Sequence, residues 1–138
     1  MSIAKKLRFL PGGWFGWRFA PAVLLALVLG AAHAAATAPA VRSEIEALMA
    51  VLRTSDCRFN RNGSWHDGAA ASAHLLGKLD YLERRGQVES TERFIELAAS
   101  ASSASGKAYA VQCGGAPAQP SRDWLLAQLR ALRTPAAR

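Results

Sequence analysis

The sequence has 138 residues, 51% of them hydrophobic and 20% charged, with two cysteines and a formal charge of +7. A chain of this length builds one core, not two. It is too apolar for a disordered tail, shows neither coiled-coil heptads nor an internal repeat, and holds a single stretch able to enter a membrane.

That stretch comes first. Lys5, Lys6, Arg8 and Arg18 accompany an apolar run from Ala22 to Leu29, and Ala32-His33-Ala34 follows as a small-x-small cleavage pattern. This is the layout of a secretory signal peptide, residues 1–36, with cleavage after Ala34 or Ala36. The leucine-rich run is eight residues long, against the roughly 20 that a permanent helix needs, so membrane contact is expected only while the segment is uncleaved. No cysteine follows it to carry a lipid. Four bases and no acid lie in it, which leaves thirteen bases against ten acids, +3, on residues 37–138. The acids Glu44, Glu46, Asp67, Glu89, Glu92 and Asp123 fall near predicted helix starts and the bases Arg53, Arg84, Arg85, Arg130 and Arg133 near predicted ends, where helix dipoles favour them. Nucleic acid is therefore not an expected partner.

Residues 37–138 read as one α+β domain. Ser43-Glu44-Ile45-Glu46 has the form of a capping box, and Ile45, Leu48, Met49 and Leu52 follow at helical spacing, so a first helix should run to about Thr54. Cys57 to Arg61 and Ser64 to His66 flank Asn62-Gly63, the pair suited to the positive φ angles of a type I′ turn, and read as a β-hairpin. Asp67 can cap a second helix whose Leu75, Leu79 and Leu82 form one stripe up to Gly86. Ser90 caps a third, with Phe94, Ile95 and Leu97 apolar, which dissolves into the serine and alanine stretch from Ser100 to Ser105. Lys107 to Cys113 alternates with a period of two and predicts a strand with Tyr109, Val111 and Cys113 on one face. Residues 114–120 read as a loop, and Ser121 as the cap of a last helix carrying Trp124, Leu125, Leu129 and Leu132. The expected architecture is a small antiparallel sheet, a hairpin plus one later strand, packed with about four helices.

Two cysteines in a chain sent to an oxidising compartment predict a Cys57–Cys113 disulfide. If the late strand runs antiparallel to the first, the register that sets Cys113 opposite Cys57 also sets Val111 opposite Phe59 and Tyr109 opposite Arg61. A redox-active pair is the weaker alternative, because no Cys-x-x-Cys spacing is present.

Phe59-x-Arg61-Asn62-Gly63, Ala71-x-x-His74-Leu75-x-x-Lys78-Leu79, Glu92-x-Phe94-Ile95 and Ser102-Ser103-x-Ser105-Gly106-Lys107-x-Tyr109 together resemble the YfeK-like family of small exported bacterial proteins, a domain of unknown function. The resemblance covers about Ile45 to Leu132 and implies a fold unit and an envelope location, not a reaction. The sequence departs from that pattern at Ala70, where members often carry an acid, and at Ala108, where a proline often precedes the tyrosine.

His74, Lys78 and Tyr81 lie at i, i+4 and i+7 of the second helix and can share a surface. A positioned His74 can act as a general base, and Ser103 or Ser105 as a nucleophile, but no Gly-x-Ser-x-Gly elbow and no obvious orienting acid accompany them; His74 as a tether between helix and sheet is the favoured reading. His66 and His74 are the only histidines after the signal segment, without metal-ligand spacing, so neither a metal nor a cofactor is expected. Asn62 and Gly63 make the turn, and Arg61 can lie over the Tyr109 ring or bind a ligand. Trp65 is an exposed contact residue or a lid on the helix packing, and Trp124 belongs to the core. The segment from Ser103 to Tyr109 is also similar to the Ser-x-Ser-Gly-x-x-Tyr loop with which periplasmic lysozyme inhibitors enter an enzyme cleft, although those inhibitors are all-β. The expected protein is thus a periplasmic or secreted, disulfide-stabilised module that binds an envelope protein or cell-wall component. The alternatives are an inhibitor of a cell-wall lytic enzyme and a weak hydrolase using His74.

Overall fold

The computed structural model describes residues 36–134. The predicted signal segment lies outside them apart from Ala36. The domain is α+β, with helices on a four-stranded antiparallel sheet.

Helix α1 spans Pro39–Thr54 and buries Ile45, Leu48, Met49 and Leu52. It starts four residues before the predicted capping box, because Pro39 at the first helical position has φ already set for a helix and lacks an N–H that would go unpaired there. Ser43, Glu44 and Glu46 are consequently interior residues: Glu46 pairs with Arg42 one turn back, and neither glutamate serves the helix start.

The hairpin forms as its turn dictates. Strand β1, Arg58–Arg61, pairs with β2, Ser64–His66, in the register Phe59 to His66 and Arg61 to Ser64. Asn62 and Gly63 take φ of 53° and 89°, and the Gly63 N–H donates to the Asn60 side chain at 3.1 Å. Asp67 then caps helix α2, Gly68–Arg84, by accepting from the Ala70 N–H at 2.8 Å. The helix ends where Gly86, at φ 63°, lets the Gly86 and Gln87 amides turn back to the Glu83 and Leu82 carbonyls, a Schellman closure.

Ser90 caps helix α3, Thr91–Phe94, which widens into a π-helical turn over Ile95–Ala99. Strand β3 is Ala110–Gln112, shorter than its alternating pattern, and β4, Gln119–Pro120, is a fourth strand inside the segment read as a loop. Pro120 is tolerated because β4 is an edge in the order β2-β1-β3-β4. Helix α4, Ser121–Arg133, follows directly. Its cap position is Pro120 and no side chain caps it; Ser121 is the first helical residue, and its N–H is taken by the Tyr109 carbonyl at 3.0 Å.

The β1–β3 register is the predicted one, with Phe59 opposite Val111. Continued outward it brings Cys57 and Cys113 together, and they form a disulfide across 56 residues. Phe59, Val111 and Cys57 join the core with the apolar faces of α1, α2 and α4, and the buried Trp124 meets Phe59 edge to face at 5.4 Å. Helices α1 and α2 approach closely at Gly68, where a Cβ would stand 2.1 Å from the Leu52 carbonyl oxygen.

Candidate functional site

The end of the sheet nearest the hairpin turn, the middle of α2, the π turn and the start of α4 meet around a cleft of about 30 Å³. Phe59, Ala71, Leu75, Ala99 and Leu125 supply its apolar floor. Arg61, His66, His74, Tyr109 and Ser121 bring polar groups to it. The volume suits one or two waters or a small chemical group, since a single water needs about 10–15 Å³ by this measure.

Local rules place each of these side chains. Residues opposite one another across a ladder share a face, so His66, facing Phe59 in the hairpin register, reaches the same cleft as Phe59. His74 and Lys78 are one turn apart on α2 and both meet Tyr109. The His74 and Tyr109 rings stand edge to face at 6.2 Å, with 3.5 Å between the imidazole Nε2 and the phenol oxygen. The Lys78 ammonium lies 5.0 Å over the tyrosine ring and 3.4 Å from its hydroxyl. Lys78, not Arg61, is therefore the cation on Tyr109. The Lys78 ammonium also donates to the carbonyls of Ala98 at 2.8 Å and Ala101 at 3.4 Å, closing the end of the π turn in the way a base suits a helix C-terminus.

The electrostatics are one-sided. No aspartate or glutamate lines the cleft. Partial burial and then the charges of Arg61, Lys78 and His66 hold the His74 imidazole below its ordinary pKa, which favours the neutral ring. The Arg61 guanidinium, half-buried, has no ion-pair or hydrogen-bond partner among the described residues, unlike Arg42, Arg122 and Arg133. Ser121 is 4% exposed, and its hydroxyl likewise finds no partner among the described residues. Tyr109 is 7% exposed, and its hydroxyl has only the two long contacts just given, beyond the usual 2.7–3.2 Å.

The remaining expected residues are distributed differently. Asn62 and Ser105 bond to each other, hydroxyl to amide oxygen at 2.7 Å, so the loop before β3 is pinned to the hairpin turn. Gly63 and Gly106 supply positive φ in those two turns. Ser103 is exposed, and neither it nor Ser105 bonds to His74. Tyr81 is 48% exposed and stacks under Arg85 at 4.5 Å, away from the strip it was expected to share with His74 and Lys78. Trp65 lies exposed on the edge strand β2. Of the polar residues lining the cleft, Asn60, His66 and Ser121 are not singled out as site residues by the sequence. His66 was recoverable from the hairpin register, whereas nothing local marks Ser121, whose place depends on the docking of α4.

Among the described residues no group of three or more histidine, cysteine or acidic side chains could hold a metal ion, and no helix is long and apolar enough to cross a membrane.

What fold and cleft define together is a small disulfide-bonded α+β domain with a narrow, acid-free recess at the end of its sheet. Residues 39–133 match a family of unknown function (DUF5329), and the chain belongs to that family. Neither the curated proteins nor the solved structures contain a match.

Proposed function

We propose that the protein is an exported, disulfide-stabilised binding module of the cell envelope, and that the family it belongs to is the YfeK-like group of small exported proteins. The observation that carries the binding reading is the recess itself. Five elements converge on it, and Arg61 and Ser121 line it with hydrogen-bonding groups that no described residue uses. The disulfide supports export, since such bonds persist in oxidising compartments.

Hydrolysis by His74 is less well supported. The neighbours that act on its charge are Arg61, Lys78 and His66, all bases, and no carboxylate orients it. A second reading, inhibition of a muramidase, draws on the exposed loop from Ser103 to Lys107, which is closed by bonds from the Ser102 N–H to the Lys107 carbonyl at 2.9 Å and from the Gly106 N–H to the Ser102 carbonyl at 2.8 Å. Tyr109 is buried and takes no part in that surface.

Site-directed photocrosslinking in intact cells tests the binding reading. A crosslinking side chain at Ser64, beside Arg61, is expected to capture an envelope component. The same group at Ala47, on the outer face of α1, is expected to capture none. Equal capture from both positions, or from neither, would overturn the reading. Purified protein at high excess over a muramidase decides the second: inhibition lost in Ser105→Ala supports it, and unimpaired lysis retires it.

A further inference from the structure

The polar groups of the recess are matched to one kind of ligand. The Arg61 guanidinium stands there without a counter-charge, and the Lys78 ammonium, hydrogen-bonded to the neutral Ala98 and Ala101 carbonyls, adds a second positive charge behind Tyr109. The hydroxyls of Ser121 and Tyr109 add two donors, both on side chains more than nine-tenths buried. Ser121 also lies in the first turn of α4, where the helix dipole favours negative charge and no side chain fills the cap. Below these donors lie the apolar side chains of Phe59, Leu75 and Leu125. The positive, acid-free surroundings fit an anion, and a cavity of about 30 Å³ fits a small one. An arginine fork and hydroxyl donors suit the planar pair of oxygens of a carboxylate.

We infer that the recess binds a small carboxylate attached to a short apolar group, with the oxygens on Arg61, Ser121 and Tyr109 and the apolar group on Phe59, Leu75 and Leu125. The inference rests on the cleft being the binding site. Two sources offer this chemistry: a free short-chain acid, and the C-terminal residue of a peptide with a small apolar side chain. The Arg61 guanidinium and the Ser121 hydroxyl have no other partner among the described residues, and on Tyr109 the oxygens replace only the long contacts to His74 at 3.5 Å and Lys78 at 3.4 Å. The oxygens also place a negative charge beside His74, which is otherwise faced by Arg61 from β1, His66 from β2, Lys78 from its own helix and the Tyr109 hydroxyl.

The test is an NMR titration of the purified protein, its disulfide intact, with propionate, with an N-acetylated dipeptide ending in alanine, and with the amide of that dipeptide. At least one carboxylate is expected to shift the His74 and Ser121 resonances saturably and to raise the His74 pKa; the amide should do neither. Saturation by propionate alone assigns a free acid, and tighter binding of the peptide assigns a chain end. Arg61→Gln is expected to weaken binding about tenfold or more, and Ser121→Ala to weaken it less. Equal binding of acid and amide would overturn the carboxylate while leaving the cleft a binding site. No saturable shift by any probe, or wild-type affinity in a folded Arg61→Gln protein, would overturn the inference outright, with the crosslinking result standing apart from it.

Discussion

At the scale of single residues, the least conspicuous side chain carries one of the tightest constraints. Gly68 begins α2 directly over the Leu52 carbonyl, and the rigid backbone of α1 cannot move aside as a flexible side chain would. Gly68→Ala should therefore cost about 3 kcal/mol, the upper end of the usual range for overpacking, read as a drop in urea midpoint at unchanged m-value. Lys78 is a second such residue: Lys78→Met keeps the stem but leaves the Ala98 and Ala101 carbonyls without their donor. The loss expected is about 1–3 kcal/mol. His74 contributes through pH. Its folded pKa lies below the ordinary 6.5, so as pH falls the unfolded chain takes up the proton first. Stability present above that value declines as pH drops through it toward the folded pKa. Urea midpoints between pH 7.5 and 5.5 should fall less steeply in His74→Gln than in the wild type.

At the scale of elements, the sheet is organised by one register. The type I′ turn sets β1 against β2, and the β1–β3 pairing brings the cysteines together while putting Phe59 opposite Val111 in the core. The bond between them closes a long loop, which in the chain-entropy treatment is worth about 4 kcal/mol. Cys57→Ala/Cys113→Ala, or the reduced wild type, should melt lower by something on the order of 15–30 °C. An unchanged melting temperature on reduction would show that the helices hold the domain without the bridge. The π turn has a different role. By widening the backbone after α3 it sets Ala99 in the wall of the cleft and leaves the Ala98 carbonyl for Lys78, a use of irregular helix found at functional sites more generally.

At the scale of the whole domain, α1, α3 and α4 are joined by an ionic cluster far from the cleft. Glu44 on α1 accepts from the buried Thr91 hydroxyl and from Arg133 near the end of α4, and Arg133 also holds Glu92. The Arg133 and Thr91 hydrogen bonds bring the Glu44 pKa down to about 2. A lowered carboxylate pKa gives stability that is complete above the unfolded value of 4.5 and lost as pH falls through the folded one. Acid unfolding should accordingly gain a component between about pH 4.5 and 2 that Glu44→Gln removes. Thermal melts across that window check it, and a variant with the same acid slope as the wild type would show the cluster to be neutral. Screening by 1 M salt should weaken the exposed Arg133 pairs more than the Thr91 bond.

Much of this architecture is decided within a few residues of chain. Asn62-Gly63 makes a turn because both residues accept positive φ, Asp67 and Ser90 cap because their oxygens reach the first-turn amides, and a period of two in Tyr109, Val111 and Cys113 chooses the face that carries the cysteine. Only packing decided the rest. Which cation covers Tyr109, where Ser121 stands, that Gln119–Pro120 adds a strand and that Gly68 must lack a Cβ all depend on how α2 and α4 dock against the sheet. The recess draws on five elements, from β1 to α4, and the donors left free in it are those that no described side chain reaches. Local chemistry specifies elements, and long-range packing selects which side chains are left for a ligand.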